Sequence, residues 1–256
     1  MKKNGIATTN PKASFDDLYK KYSPVPYCSC LLSELDYRLP FSAMNLLKRY
    51  INCCERMETL NTLIIGSGHG LDSAALKYNC TFEEILETPF CSEESCGCMP
   101  SDGNPQFNIT MTDINESPLR FAHNFGLCNN FFVYDMSGNL TGEMLYYLKN
   151  EVDLAICTGV TSYLDLSAFS QLTEALLVEG KAKYLCFSLL GYLNDRIDII
   201  ENFGLQVCKL GDVKQRNYRD QDEKIAILKL LRSLKQDVPG SEECLMTSVY
   251  IAQQAG

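Results

Sequence analysis

The sequence predicts an α/β protein: a doubly wound, mostly parallel seven-stranded sheet with an antiparallel last strand, preceded by an N-terminal helical cap. Three observations carry this. From Thr59 onward short apolar runs recur, such as Leu60-Asn-Thr-Leu-Ile-Ile65, of the kind that fills a strand buried on both faces. Stretches with helical spacing separate most of them, as a parallel sheet covered by helices requires. The final run, Ser248-Val-Tyr-Ile-Ala252, has no helix after it and can insert antiparallel.

The elements follow in order. Residues 1–13 are polar. From Ser14, a cap followed by Asp16 and Asp17 in a first turn, the pattern is helical, with Leu18, Tyr19 and Tyr22 on one side. Pro24 and Pro26 are expected to break this segment. Leu31, Leu32 and Leu35 mark a second short helix closed near Pro40. Ser42 is expected to cap a third, carrying Met44, Leu46, Leu47, Tyr50 and Ile51. These helices make up a cap over 1–58, and the core occupies 59–256. Its strands are expected at Leu60–Ile65, Asn108–Asp113, Asn130–Asp135, Val152–Cys157, Ala182–Ser188, Leu205–Leu210 and Ser248–Ala252. Helices are expected over Ser117–Phe125, Gly142–Lys149, Ser167–Val178 and Leu193–Phe203. Two stretches interrupt the alternation and read as insertions. One is 80–107, rich in Pro, Gly, Ser, acid and Cys; the other is 214–243, with a helical run through Ile225, Leu228, Leu230, Leu231 and Leu234.

Charge and composition exclude several classes. The net charge of −9 argues against a general nucleic-acid partner and against an anionic membrane surface. The 46% apolar and 21% charged fractions are those of a globular chain. Cys is frequent, 13 in 256 residues, but the count is odd and too low for a disulfide scaffold. No apolar run follows the basic start, and none is long enough to span a bilayer. The expectation is a reduced, cytoplasmic, soluble protein whose cysteines are mostly small buried hydrophobes.

The chemistry-bearing feature is Gly66-Ser67-Gly68-His69-Gly70-Leu-Asp72, which follows the first strand and opens a helix. Glycines there let a ligand approach the backbone, and a helix start favours a negative group. Acids end the next two strands: Asp113, followed by Ile114, and Asp135, followed by Met136. At the carboxyl ends of a doubly wound sheet, Asp113 is placed to accept from ribose hydroxyls and Asp135 from an adenine amino group. The plainer alternative for each is a cap on the next helix, for which Ser117 and Ser137 compete.

These residues resemble a class I S-adenosylmethionine-dependent methyltransferase, over roughly Thr59 to Gln253. Gly66 to Gly70 resembles the family's first cofactor motif, Asp113 its ribose-binding acid, and Asp135 its adenine-contacting acid. Thr158-Gly159-Val-Thr-Ser-Tyr163 resembles the motif that borders cofactor and substrate after the fourth strand. Leu177-Val-Glu-Gly180 resembles the turn before the fifth. The resemblance implies S-adenosyl-L-methionine as cofactor, held by Gly66, Ser67, Gly68, Gly70, Asp113, Ile114, Asp135, Met136, Thr158 and Gly159. The chain departs from the family at Ile64, where an acid two places before the first glycine is common, and in the long spacing from Gly70 to Asp113. It also lacks an Asn-Pro-Pro-aromatic motif after the fourth strand.

Methyl transfer from a sulfonium has a neutral leaving group, so alignment and exclusion of water dominate, and a base is needed only for a protonated nucleophile. No catalytic motif is therefore expected. Candidates are His69, Tyr27 and Tyr163. His69 also reads as a residue that shapes the loop, and His123 as a helix-surface residue. Tyr19, Tyr22, Tyr27 and Tyr163 are candidates for the substrate side, with core packing as the plainer reading. Cys91, Cys96 and Cys98, with Cys80 as a fourth, lack paired ligand spacing, as do Cys28, Cys30, Cys53 and Cys54, and no metal is expected. The expected function is methyl transfer to an O, N or C nucleophile of a small molecule. The alternatives are methylation of a protein or peptide side chain, or a non-catalytic binding subunit with the same fold. A nicotinamide enzyme is disfavoured because the loop is G-x-G-x-G and not G-x-G-x-x-G.

Overall fold

The computed structural model describes residues 14–54, 59–91, 99 and 103–255. The chain begins with the short helices α1 (Asp16–Tyr19) and α2 (Val25–Tyr27), the latter running on as a π-helical turn over Cys28–Glu34. Pro24 and Pro26 start α2 and do not break it, because a proline in a first turn gives up no hydrogen bond. The same reason corrects the next boundary. Helix α3 runs Leu39–Cys54 with Pro40 inside its first turn, so it begins ahead of the expected Ser42 cap.

Strand β1 (Leu60–Ile65) leads through the glycine turn into α4 (Leu71–Lys77). Next come α5 (Phe82–Glu87), held by a capping box between Thr81 and Glu84, and a 3₁₀ turn over Pro89–Cys91. Then follow β2 (Phe107–Asp113), α6 (Glu116–Asn124), β3 (Asn130–Val133), α7 (Gly142–Asn150) and β4 (Leu154–Cys157). Helix α8 (Leu166–Thr173), capped by Asp165, ends in a π turn, Glu174–Val178. The chain closes with β5 (Tyr184–Leu189), α9 (Asp195–Asn202), β6 (Gln206–Arg216), α10 (Gln221–Ser233) and β7 (Leu245–Gln253).

The seven strands form one sheet in the order β3-β2-β1-β4-β5-β7-β6. The first five are parallel, and β7 lies antiparallel between β5 and β6. Strand order reverses between β1 and β4, which opens the ligand crevice of such sheets at the carboxyl ends of these strands. The faces separate by strand alternation. Ile64, Ile109, Ile156, Cys186 and Ile251 pack on one side with α3, α4 and α6; Leu63, Ile65, Ala155, Leu185 and Phe187 pack on the other with α7, α8 and α9.

Leu31, Leu39, Met44, Leu47 and Ile51 lie in the same core cluster as β1, β4, β5 and β7. The change of pattern at 58/59 is thus not a change of core: α3 is a covering layer of the sheet, and Tyr19 of α1 and Tyr37 lie against Gly68 and Gly159 at its carboxyl end. Two strands also depart from expectation. Asn130–Val133 reads as buried but is an exposed edge, where Phe132 stacks on Tyr147 and Phe131 on His123. Strand β6 runs six residues past Leu210, to Arg216. Much of the expected insertion from 214 is thereby sheet, with register shifts between Lys209 and Gly211 and between Lys214 and Arg216.

Candidate cofactor site

The turn after β1 has three glycines in the left-handed region: Gly66 (φ 65°), Gly68 (φ 50°) and Gly70 (φ 90°). This conformation strains any residue with a Cβ. The turn folds over the end of β2, where the amides of Gly66 and Ser67 both donate to the Thr112 carbonyl, at 2.8 and 3.1 Å. The next residue of β2 completes the arrangement. One carboxylate oxygen of Asp113 accepts from the Gly68 amide at 3.0 Å; the other accepts from the amide of Asn115 at 2.9 Å and from its side chain at 3.3 Å. Asp113 therefore ties the glycine turn to the β2 end and keeps lone-pair capacity for a further donor. Ile114 beside it is 64% exposed, an uncommon position for a large apolar side chain in a crevice wall.

On the other side of β1, Thr158 follows β4. Its hydroxyl donates to the Asp72 carboxylate at 2.6 Å. Asp72 stands in the first turn of α4 and is 7% exposed. Burial pushes its acid up to about 6, against the opposing pull of the Thr158 bond. Gly159 has a positive φ of 72°, and its amide donates to the Ser188 hydroxyl at 3.1 Å; a Cβ at Gly159 would stand 2.9 Å from the Tyr37 hydroxyl. Asp135 is exposed, and one of its oxygens accepts from both the amide and the hydroxyl of Ser137, which holds its acid below the usual range. It closes a local turn and does not cap the next helix, whose cap is Thr141, and its second oxygen has no bond to these donors. Met136 is buried against α7 and the face-two core.

The N-terminal segment closes over the turn. A Cβ at Gly68 would lie 2.9 Å from the Tyr19 ring, which stacks edge-on against Tyr27 with centroids 5.1 Å apart. Tyr22 packs edge-on against Phe121 and accepts from the Asn124 side chain at 3.2 Å. Tyr27 is buried against His69, so it is a packing residue beneath the strap and not a wall of the crevice. Tyr163, 48% exposed just past β4, remains at the crevice rim.

His69 is not placed to serve as a base. It is 1% exposed, and its Nε2 lies 2.9 Å from the Lys21 carbonyl. A carbonyl only accepts, so Nε2 carries the proton, and Nδ1 has no partner among the described residues. Burial pulls its pKa down to about 4. The residue ties the turn to the strap. His123 lies exposed on α6, as expected.

The opposed shifts of His69 and Asp72 make a prediction. Unfolded, His69 titrates near 6.5 but folded near 4, so stability drops as pH falls through that window. Asp72 titrates near 3.8 unfolded and near 6 folded, so its contribution rises as pH falls through nearly the same window. Each amounts to about 3 kcal/mol, and the two largely cancel. Between pH 7 and pH 4, His69→Gln should gain stability relative to wild type and Asp72→Asn should lose it, read from urea midpoints. Parallel behaviour of the two variants would contradict these environments.

Among the described residues, no His, Cys, Asp and Glu cluster could hold a metal ion, and no helix is long and apolar enough to cross a membrane. Cys28, Cys80 and Cys91 carry free thiols near one another, each of the first two raised by burial and by neighbouring Cys91. Cys96 and Cys98 lie outside the described residues.

The strand order with its antiparallel β7 is that of the class I methyltransferase fold. No protein-family model and no curated protein matches the chain. Among solved structures it is similar to a TehB-like SAM-dependent methyltransferase from Corynebacterium glutamicum, at 13% identity over 84% of this chain and 88% of that one, with a TM-score of 0.47. It is also similar to the magnesium protoporphyrin IX methyltransferase of Synechocystis with bound SAM, at 12% identity over 84% and 79%, with a TM-score of 0.47. The YcgJ protein of Bacillus subtilis matches at 10% identity over 83% and 99%, with a TM-score of 0.49. At these identities the likeness concerns the course of the chain and not the residues of the site.

Proposed function

We propose that the chain is an S-adenosylmethionine-dependent methyltransferase acting on a small molecule. The observation that carries this reading is the convergence at the strand-order reversal. A left-handed glycine turn is bonded to the Asp113 carboxylate on one side, and the Asp72–Thr158 pair lies on the other. The residues fit the cofactor by chemistry. Asp113 has acceptor capacity for a ribose, Ile114 offers apolar contact, Asp135 has a second carboxylate oxygen, and the left-handed turn Gly66 to Gly70 lies beneath Val160 and Tyr19, side chains that a bound cofactor would displace. The bound cofactor would supply the electrophilic methyl group.

What this chain does is align and exclude water. The N-terminal segment through Tyr19 and Tyr22, packed on Tyr27 and Phe121, covers the turn, which favours a small enclosed substrate over a protein side chain. His69 is bound to the Lys21 carbonyl, His123 lies exposed on α6, and burial raises the Tyr163 phenol so that it keeps its proton, so the nucleophile arrives unprotonated or loses its proton to solvent. The location that goes with these readings is the cytoplasm.

Calorimetric titration tests the cofactor. S-adenosylmethionine and S-adenosylhomocysteine should bind at micromolar levels and NAD should not. Silence towards both adenosyl compounds at millimolar levels, in a chain that melts cooperatively, would sink the reading. If peptides, and not small amines, phenols or thiols, take up labelled methyl, the substrate class is wrong while the cofactor stands.

A further inference from the structure

We propose that Asp72 is the group that receives the α-ammonium of the cofactor's amino-acid end, taking the place of the acid that Ile64 does not provide; this rests on the methyltransferase reading above. Three observations converge on it. Ile64 is an apolar core residue, 1% exposed and packed on the α3–α4 face, so the usual position contributes no charge. Asp72 is a carboxylate with one side-chain partner, the Thr158 hydroxyl, and among the described residues no cation pairs with it. It also stands at the carboxyl ends of β1 and β4, two residues past the last glycine of the turn and bridged to Thr158, the residue that follows β4.

Besides the Thr158 hydroxyl the carboxylate accepts from its own backbone amide, and a buried acid held by two neutral donors is costly unless a cation joins it. A burial-raised acid in a crevice is a frequent mark of a functional group. The surroundings are aromatic and neutral: the Tyr19 and Tyr37 phenols and the Cys157 and Cys186 thiols all feel its charge, and none can neutralise it.

The cofactor carries two cations, and the chemistry separates them. An ammonium has three N–H donors that fill the lone pairs Asp72 still offers, whereas a sulfonium has none. The sulfonium charge also declines on the way to the transition state and is gone in the product. An acid beside it would stabilise the ground state more than the transition state and slow transfer. The ammonium keeps its charge throughout, so binding it there costs no rate.

The experiment is calorimetry on Asp72→Asn, which keeps the shape and a partner for Thr158. Three ligands are used: S-adenosylmethionine, S-adenosylhomocysteine, and 5′-methylthioadenosine, which has neither ammonium nor sulfonium. The variant should bind the first two about 10- to 100-fold more weakly, the range of a charged hydrogen bond, and the third as wild type does. Unchanged affinity for S-adenosylhomocysteine would overturn the proposal, as would a loss confined to S-adenosylmethionine, which would assign Asp72 to the sulfonium. An equal loss for all three would mean that the substitution disturbs the turn. If wild type binds none of them, the methyltransferase reading itself fails, a result distinct from failure of the Asp72 assignment alone.

Discussion

Asp113→Ala is expected to reduce S-adenosylhomocysteine affinity by more than about 100-fold and to destabilise the fold by about 1–3 kcal/mol. The two effects have one origin. The carboxylate accepts from the Gly68 amide at 3.0 Å and from the Asn115 amide at 2.9 Å, so truncation orphans donors in a nearly closed site and frees the turn it holds. A ligand that needs both the turn and the carboxylate then loses its cradle and its hydrogen-bond acceptor together. Asp113→Asn separates the parts. Its amide oxygen can still accept from Gly68, so most of the stability should return. The charge-assisted bond to a ribose hydroxyl is lost, leaving affinity down about 10-fold. Melting temperature and calorimetry read the two effects independently. If Asp113→Ala lowers stability and leaves affinity intact, Asp113 is a turn clamp only and has no ligand role.

How far the residues foretold this site depends on burial. Strands β1, β2 and β4 lie in the middle of the sheet, and their apolar runs mark them to within about two residues. Strand β6 is an edge, its faces half-exposed and carrying Lys209, Asp212 and Lys214, so polar residues hide its last six positions. The π turns after α2 and α8 read as ordinary helix, because their apolar spacing does not distinguish the wider turn. In the site, Gly66, Gly68 and Asp113 were legible because turn geometry and strand ends dictate residue type. Asp72 carries a weak signal in the sequence, an acid two places after the last glycine in a chain with Ile64 at the usual acid position, because its isolation from any cation is a tertiary fact. Tyr27 shows the converse. Helical spacing shows that an aromatic is buried and does not show which layer buries it.

The segment from β6 to α10 holds the second large effect. Arg216 and Glu223 form a two-pronged ion pair, Nη1 to Oε2 at 2.9 Å and Nη2 to Oε1 at 2.6 Å, with both side chains only 1% exposed. Glu223 also accepts from the Arg219 amide at 2.8 Å; Arg216 donates to the Asn217 carbonyl at 2.8 Å and lies over the Phe15 ring, its Cζ 5.1 Å from the centroid. Two charges this deep are stable only together. Arg216→Met alone should therefore cost about 3–5 kcal/mol, and Glu223→Leu alone a similar amount, because each leaves the other charge buried alone. The double variant Arg216→Met, Glu223→Leu removes both charges and keeps the volume, and should recover most of that loss. Urea unfolding of the four proteins closes the cycle. A coupling energy near zero, with single costs that simply add, would mean that water reaches the pair and that it is no part of the core. A large coupling would establish that the sheet edge and α10 are joined by charge in a place where the surrounding apolar contacts are few, namely Leu190, Ile227, Leu231 and Leu245. Because Phe15 lies on the same guanidinium, the double variant should also loosen the strap. Trypsin cleavage at Lys20 or Lys21 should then be faster than in wild type, while β1 to β5 remain intact.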